Sequence, residues 1–282
     1  MARVALVTDS SACLPAPLVA ALAIRVLPIT VHLPGMNRLD GDQGLPEQVY
    51  QALEADQPVR SSPPSVADYL GAIDQAGAEA DLEAVVLVVP AAEFTDMRSH
   101  ALIACDLSGG RAVAVDSRTA AAGQALVVLA GAEAAAAGES LERVLRAIEE
   151  ASSRVDLVAS VAELGPLRRS GRVPSPSLGP ARPAEARSVF RMRRGAVEPL
   201  ARVESADAAL QRIHQEWRAG GGPGATSCAL FHADCPELAS QLGEQLRAVT
   251  MAAGFSAAMG INTGRGVVGA AWLPSPPGPG LD

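Results

Sequence analysis

The chain contains no lysine: all 23 of its basic residues are arginine, which we read as compositional bias and not as function. Its 31 acidic residues leave a formal net charge of −8. That balance excludes the broadly basic surface on which non-specific nucleic-acid binding depends. Aromatic residues make up 3% of the chain against 49% hydrophobic residues, so the core must be built from Ala, Val and Leu. No apolar run reaches the ~18–20 residues of a membrane span. The longest candidate, from Ala120 to Ala137, is mostly alanine and carries Gln124 and Glu133, and no stable membrane insertion is expected. Cys13, Cys105, Cys228 and Cys235 form no CxxC pair, which argues against zinc and against a disulfide framework. The HExxH and HxH spacings and the GxSxG elbow are missing. None of the four histidines sits in a local Ser-His or Cys-His arrangement. No cofactor or metal is therefore expected, and no catalytic pair can be named from neighbouring residues, though triad members can come from distant segments. The opening MARVALVTDS runs straight into an apolar strand with no signal-peptide cleavage region, so a cytoplasmic location is expected.

What is present is alternation. A length of 282 residues suits one large domain or two ordinary ones. ARVALVTDS, RVLPITVHL, EAVVLVVP and RAVAVDS read as strands. Between and after them PAPLVAALAI, GLPEQVYQALEA, VADYLGAIDQAG and TAAAGQALVVLAGAEAAAAG read as helices. Ser65 is expected to cap the third of these, with Asp68 in the capping-box position. Ser140 is expected to cap a further helix striped by Leu141, Val144, Leu145 and Ile148. After about Ser153 come the strand DLVASVAEL, a basic turn, a Pro/Ser-rich stretch, the strand GAVEPLARV and the helix ADAALQRIHQEWRAG. The strand SCALFHA, the helix CPELASQLGEQLRAV and two late strands, GFSAAMGI and GVVGAAWL, complete the chain. Strands alternating with helices predict an α/β protein. The expected division is an N-terminal domain over residues 1–153 with a mainly parallel sheet and a C-terminal α/β domain over residues 154–282.

Several polar segments are candidates for chemistry. Asp9 and Ser10 end one strand, and Asp116 and Ser117 end another. Such pairs either cap the next helix or contact a ligand beyond the carboxyl ends of the strands. Ser61 and Ser62 precede a helix start, where bare N–H groups attract anions. The basic turn with Arg168, Arg169 and Arg172 is either a solvated loop or a docking surface for an acidic or phosphate-bearing partner. His232-Ala233-Asp234 reads as a turn before a helix. Gly264, Gly266 and Gly269 match the spacing of the dinucleotide-binding fingerprint. That motif needs a helix and a second strand after it, and residues 270–282 leave no room for them. The stretch reads instead as a glycine turn whose bared N–H groups can cradle an anion.

In this order the pieces resemble the DegV family of bacterial fatty-acid-binding proteins. The resemblance rests on VALVTDSSACLP, VLPITVHLPGMNRLDGD, VRSSPPSVADYL, AVAVDSRTAAAGQALVV, ELGPLRRSGRV, LFHADCPELA and INTGRGVVG. It implies a two-domain fold with one long-chain fatty acid buried in its body. It also implies a carrier that is not an enzyme and presents the ligand carboxylate to a separate fatty acid kinase, which forms an acyl phosphate for phospholipid synthesis. Carried over position by position, the resemblance assigns the head group to Ser61, Ser62, Thr95, Asn262, Thr263 and Gly264, with Asp9 and Ser10 nearby. It assigns the partner surface to Arg168, Arg169 and Arg172. The departures fall at the head group. Ser61 stands for a Thr, and Phe94-Thr95-Asp96 stand where the family has Ser-Gly-Thr. Asn262 stands for a His, whose charge an amide cannot carry, and Arg265 for a Pro. Ser170 replaces the first Gly of the basic turn. The alternative reading is a divergent relative that binds another small ligand or a partner protein, with Phe94 plugging the tunnel mouth.

Overall fold

A computed structural model of the chain describes residues 3–78, 82–162 and 186–275. Arg168, Arg169, Ser170 and Arg172 lie outside the described residues, as do the Pro/Ser-rich stretch and the PPGPGLD tail.

The first half builds a parallel sheet from β1 (Arg3–Asp9), β2 (Arg25–Leu27), β6 (Leu82–Val89) and β7 (Ala112–Asp116), in the order β2-β1-β6-β7. β6 reads as a continuous apolar run because both of its faces are covered. The segment RVLPITVHL, expected as one strand, is two. Proline has no N–H to give to a ladder, and the chain leaves the main sheet at Pro28. Beyond it β3 (Thr30–Leu33) joins β4 (Met36–Leu39) and β5 (Arg60–Ser62) in a separate antiparallel sheet ordered β4-β3-β5. The helices of this half are α1 (Ala16–Ala21), α2 (Leu45–Glu54), α3 (Val66–Gly77), α4 (Met97–Leu107), α5 (Ala121–Ala136) and α6 (Leu141–Arg154). The capping box on α3 is present in both directions: Ser65 Oγ accepts from Asp68 N–H at 3.2 Å, and Asp68 accepts from Ser65 N–H at 2.7 Å. Ser140 does occupy the cap of α6, but its side chain makes no capping hydrogen bond.

The second half is a six-stranded mixed sheet in the order β10-β9-β8-β13-β11-β12. Its strands are β8 (Asp156–Val161), β9 (Arg187–Arg193), β10 (Ala196–Val203), β11 (Ser227–His232), β12 (Met251–Gly254) and β13 (Val268–Leu273). Every neighbouring pair is antiparallel except β11 with β12. The helices are α7 (Ala206–Ala219), α8 (Pro236–Leu246) and α9 (Ala257–Thr263). β9 was not expected. Its arginines find partners on neighbouring elements: Arg187 Nε donates to Ser160 Oγ at 2.7 Å, Arg191 and Arg193 pair with the fully buried Asp156, and Arg191 reaches Glu216 at 2.7 Å. The segment GFSAAMGI is not a strand. Ser256 accepts the Met259 N–H at 3.4 Å and starts α9 there.

α5 is the hub. It is buried almost all round, and it packs between the sheets. One cluster of buried residues joins Leu6, Val86 and Val88 of the first sheet to Leu126 and Val128 of α5. The same cluster takes in Leu157, Phe231 and Ala271 of the second sheet. No described helix is long and apolar enough to cross a membrane.

Candidate functional site

In the parallel sheet β1 lies between β2 and β6, so the chain order reverses beside it. A crevice beyond the carboxyl ends of the strands at such a point is the usual ligand position in open α/β sheets. A cavity of about 320 Å³ occupies that place. Ser11, just past β1, lines it. So do Pro90, Phe94, Thr95 and Asp96 past β6, and Ala120 and Ala121 past β7. Ser61 and Pro63 contribute from β5 and the loop after it, and Ala258, Met259, Asn262 and Thr263 from α9. The second sheet closes the space with Leu157, Phe190, Met192, Val197 and Phe231, joined by Phe255 and Val267. The chain has four phenylalanines, and all of them, Phe94, Phe190, Phe231 and Phe255, stand in this one wall. Phe231 and Phe255 are stacked with ring centroids 5.4 Å apart.

Of the residues singled out from the sequence, Ser61, Thr95, Asn262 and Thr263 come together on the cavity wall. Thr95 Oγ1 accepts from Met97 N–H at 3.4 Å, which leaves its proton to give. Asn262 donates from Nδ2 to Ala258 O at 3.1 Å. The Thr263 hydroxyl is within reach of the carbonyls of Met259 at 3.2 Å and Gly264 at 3.1 Å.

The remaining expected residues do not line the cavity. Successive strand residues face opposite ways, so with Ser61 inward Ser62 points out, where its Oγ is 2.7 Å from His32 Nε2. Gly264 ends α9 at φ 70 and ψ −173, backbone that only glycine adopts freely. Ser10 turns aside to Asp40 at 2.6 Å. Asp9 is 0% exposed and accepts from Ser11 N–H and from Gln124 Nε2, each at 3.0 Å. Burial pushes its carboxyl above the ordinary Asp range, against the pull of those hydrogen bonds. The hydroxyl that the first Asp-Ser turn does deliver to the cavity is Ser11, one residue beyond the pair expected. The second pair holds local structure. Asp116 accepts the N–H of Ala92 at 3.3 Å and of Arg118 at 2.7 Å, which anchors the loop that carries Phe94. Ser117 is buried and donates to Thr119 O.

Phe94 forms part of the wall and leaves the cavity open. Arg265 does not reach into it. Its guanidinium pairs with Glu47 at 3.0 Å, Glu54 at 2.7 Å and Asp234, and lies 4.7 Å over the Tyr50 ring. His232 accepts from Cys235 N–H at 3.3 Å, and burial holds its pKa below the ordinary value. Among the described residues no group of three or more His, Cys, Asp or Glu side chains is placed to hold a metal ion. Phe94 was expected at the tunnel mouth, whereas Phe190, Phe231, Phe255 and Ser11 were not anticipated, although aromatics so scarce and so concentrated are a usable signal.

The three late glycines do three different jobs. Gly264 terminates α9. Gly266, at φ 82, donates its N–H to Ala233 O at 2.6 Å. Gly269 lies in β13 under the Phe231 ring, where a Cβ would stand 2.5 Å from Phe231 Cζ and 2.7 Å from Val158 O.

The likeness to known proteins covers nearly all of this architecture. A DegV domain-containing protein of Streptomyces coelicolor is 28% identical over 275 residues, 95% of this chain and 97% of that protein. A DegV domain-containing protein of Mycobacterium tuberculosis is 34% identical over 171 residues, 60% of this chain and 59% of the relative. Among solved structures, a DegV family protein of Thermus thermophilus described for its fatty-acid binding superposes with a TM-score of 0.87 at 24% identity, covering 96% of this chain and 99% of that one. DegV of Bacillus subtilis, a fatty acid binding protein, gives 0.84 at 21% identity, covering 97% and 99%. The family model described as "Uncharacterised protein, DegV family" matches residues 3–275, and the chain belongs to the DegV family.

Proposed function

We propose that this protein binds one long-chain fatty acid in the cavity between its two sheets. The carboxylate lies among Ser11, Ser61, Thr95, Asn262 and Thr263, and the chain runs along Phe190, Met192, Phe231 and Phe255. The observation that carries this reading is the composition of the wall: every phenylalanine of an aromatic-poor chain, with a few hydroxyls, one amide and the single carboxyl group of Asp96. Ligand pockets have this make-up, mostly apolar with a few placed polar groups. An apolar wall takes up methylenes at about 0.8 kcal/mol each. Asn262 replaces a charged donor with a neutral one, which weakens the grip on a carboxylate and removes any proton transfer from that position. The solved DegV structures of Thermus thermophilus and Bacillus subtilis, described as fatty-acid-binding proteins, support the ligand class.

The finer reading comes from the family resemblance. The protein acts in the cytoplasm as a carrier with no turnover of its own, and it presents the carboxylate to a separate kinase for acyl phosphate formation. Arg168, Arg169 and Arg172 meet that partner. Its chain divides near residue 153. Native mass spectrometry of the purified protein is expected to show one bound acyl chain that organic extraction removes and added oleate restores. A protein that carries no lipid and takes up none ends the reading.

A further inference from the structure

Ser11 belongs both to the cavity wall and to a buried polar cluster behind it. Its hydroxyl has one proton to give. Two acceptors inside the protein compete for it: Asp9 Oδ1, in a short contact, and Gln124 Oε1 at 3.1 Å. A carboxylate in the cavity would be a third. The rest of the cluster is committed. Gln124 spends its amide hydrogens on Asp9 Oδ2 at 3.0 Å and Thr8 Oγ1 at 3.1 Å, and Thr8 gives its own proton to Val88 O at 2.8 Å. Within this cluster Asp9 alone is a group that titrates in the acid to neutral range.

We propose that Asp9 is a positioning residue whose proton decides which way the Ser11 hydroxyl points. With Asp9 protonated on Oδ1, Asp9 donates to Ser11 Oγ, and Ser11 donates into the cavity to a carboxylate head group. With Asp9 ionised, Ser11 turns back to Asp9 and offers the ligand only lone pairs, beside a second negative charge. Binding a carboxylate and holding the Asp9 proton are then coupled, each favouring the other to the same degree. The groups facing Asp9 from neighbouring elements are Asp40 after β4, Cys13 at the end of the turn and Tyr69 of α3. Asp40 repels an ionised Asp9, and burial acts in the same direction.

This inference rests on the fatty-acid reading, and the test separates the two. Dodecanoate binding to the delipidated full-length protein is measured by calorimetry across pH, with dodecanol as a ligand lacking the carboxylate. Affinity of the wild type for dodecanoate is expected to fall about tenfold or more as pH rises through the titration of Asp9, above the ordinary Asp value of about 3.9. Net proton uptake on binding is expected in the same window. Asp9→Asn removes the titrating proton and Ser11→Ala removes the relay. Asp9→Asn removes that part of the profile and the proton uptake that belongs to it, and Ser11→Ala reduces both to the direct repulsion between Asp9 and the ligand, while the ligand's own titration persists in every variant. Dodecanol binding stays flat throughout. A wild-type profile in folded Asp9→Asn, or in Ser11→Ala should Asp9→Asn fail to fold, overturns the inference and leaves fatty-acid binding standing. No dodecanoate binding by the wild type at any pH overturns both.

Discussion

At the scale of single residues, the site depends on where side chains are missing as much as on where they stand. Gly269 pairs with Ala159 across β13 and β8. A Cβ there would meet the Val158 carbonyl at 2.7 Å, the Ala159 Cβ at 2.8 Å and the Phe231 ring at 2.5 Å. The ring can swing, but the carbonyl belongs to a strand paired on both sides and cannot retreat alone. Gly269→Ala is therefore expected to cost about 1–3 kcal/mol in urea unfolding, and to tip Phe231 towards the cavity. An unchanged midpoint would show that β8 and β13 separate freely, against this picture. The spacing of the three glycines was visible in the sequence, but they open no helix: Gly264 ends α9 and Gly269 lies within β13. Their three separate tasks were not visible, because a backbone dihedral and a close approach across strands are properties of the assembled sheet. The first Asp-Ser turn shows the same limit. T-D-S-S announces a hydroxyl at a strand end, but whether Ser10 or Ser11 faces the cavity is set by the 3-10 turn that Asp9 caps.

At the scale of elements, α9 is the piece the sequence misread and the piece that bears on the ligand. Its seven residues are too few to hold a helix alone. The run GFSAAMGI carries no period that separates helix from strand. Tertiary anchors decide the matter. Asp40 accepts the Ala258 N–H at 3.2 Å, Cys13 Sγ accepts the Ser256 N–H at 3.3 Å, and the missing side chain of Gly260 admits the Tyr50 ring. Just past its C-terminus Arg265 ties the turn to Glu47 and Glu54 of α2 and to Asp234 after β11. The strands of strong apolar pattern were legible because their burial is local information. β9 was hidden by its arginines, whose partner Asp156 lies on another strand. The Arg265 network is half in solvent, the arginine 30% exposed and Glu54 62%, so each pair alone contributes little. Arg265→Gln is expected to lower stability by about 1 kcal/mol at low salt, a loss that shrinks at high salt as screening removes the wild-type advantage. Equal losses at both salt concentrations in guanidinium-free thermal melts would assign Arg265 a packing role over Tyr50 instead.

At the scale of the whole molecule, the two halves are distinct as sheets and continuous as a core. The parallel sheet draws its strands from residues 3–116 and the mixed sheet from residues 156–273. Yet α5 packs on β1 and β6 on one side and on β8, β11 and β13 on the other, and its buried residues join both sheets in one cluster. The cavity lies across the same boundary, with hydroxyls mostly from one half and phenylalanines mostly from the other. Neither half can bury its inner face alone, so they should unfold together. The chain supplies its own probes: both tyrosines, Tyr50 and Tyr69, lie in the first half and both tryptophans, Trp217 and Trp272, in the second. All four are 5% exposed or less. In urea, tyrosine derivative absorbance and tryptophan fluorescence are expected to share one midpoint, and a bound fatty acid should raise both together, by about 2.7 kcal/mol at a free concentration of 100 Kd. Two separate midpoints would mean that the halves hold their own cores. A ligand that moves only one of them would place its binding energy in that half, away from the interface that the cavity occupies.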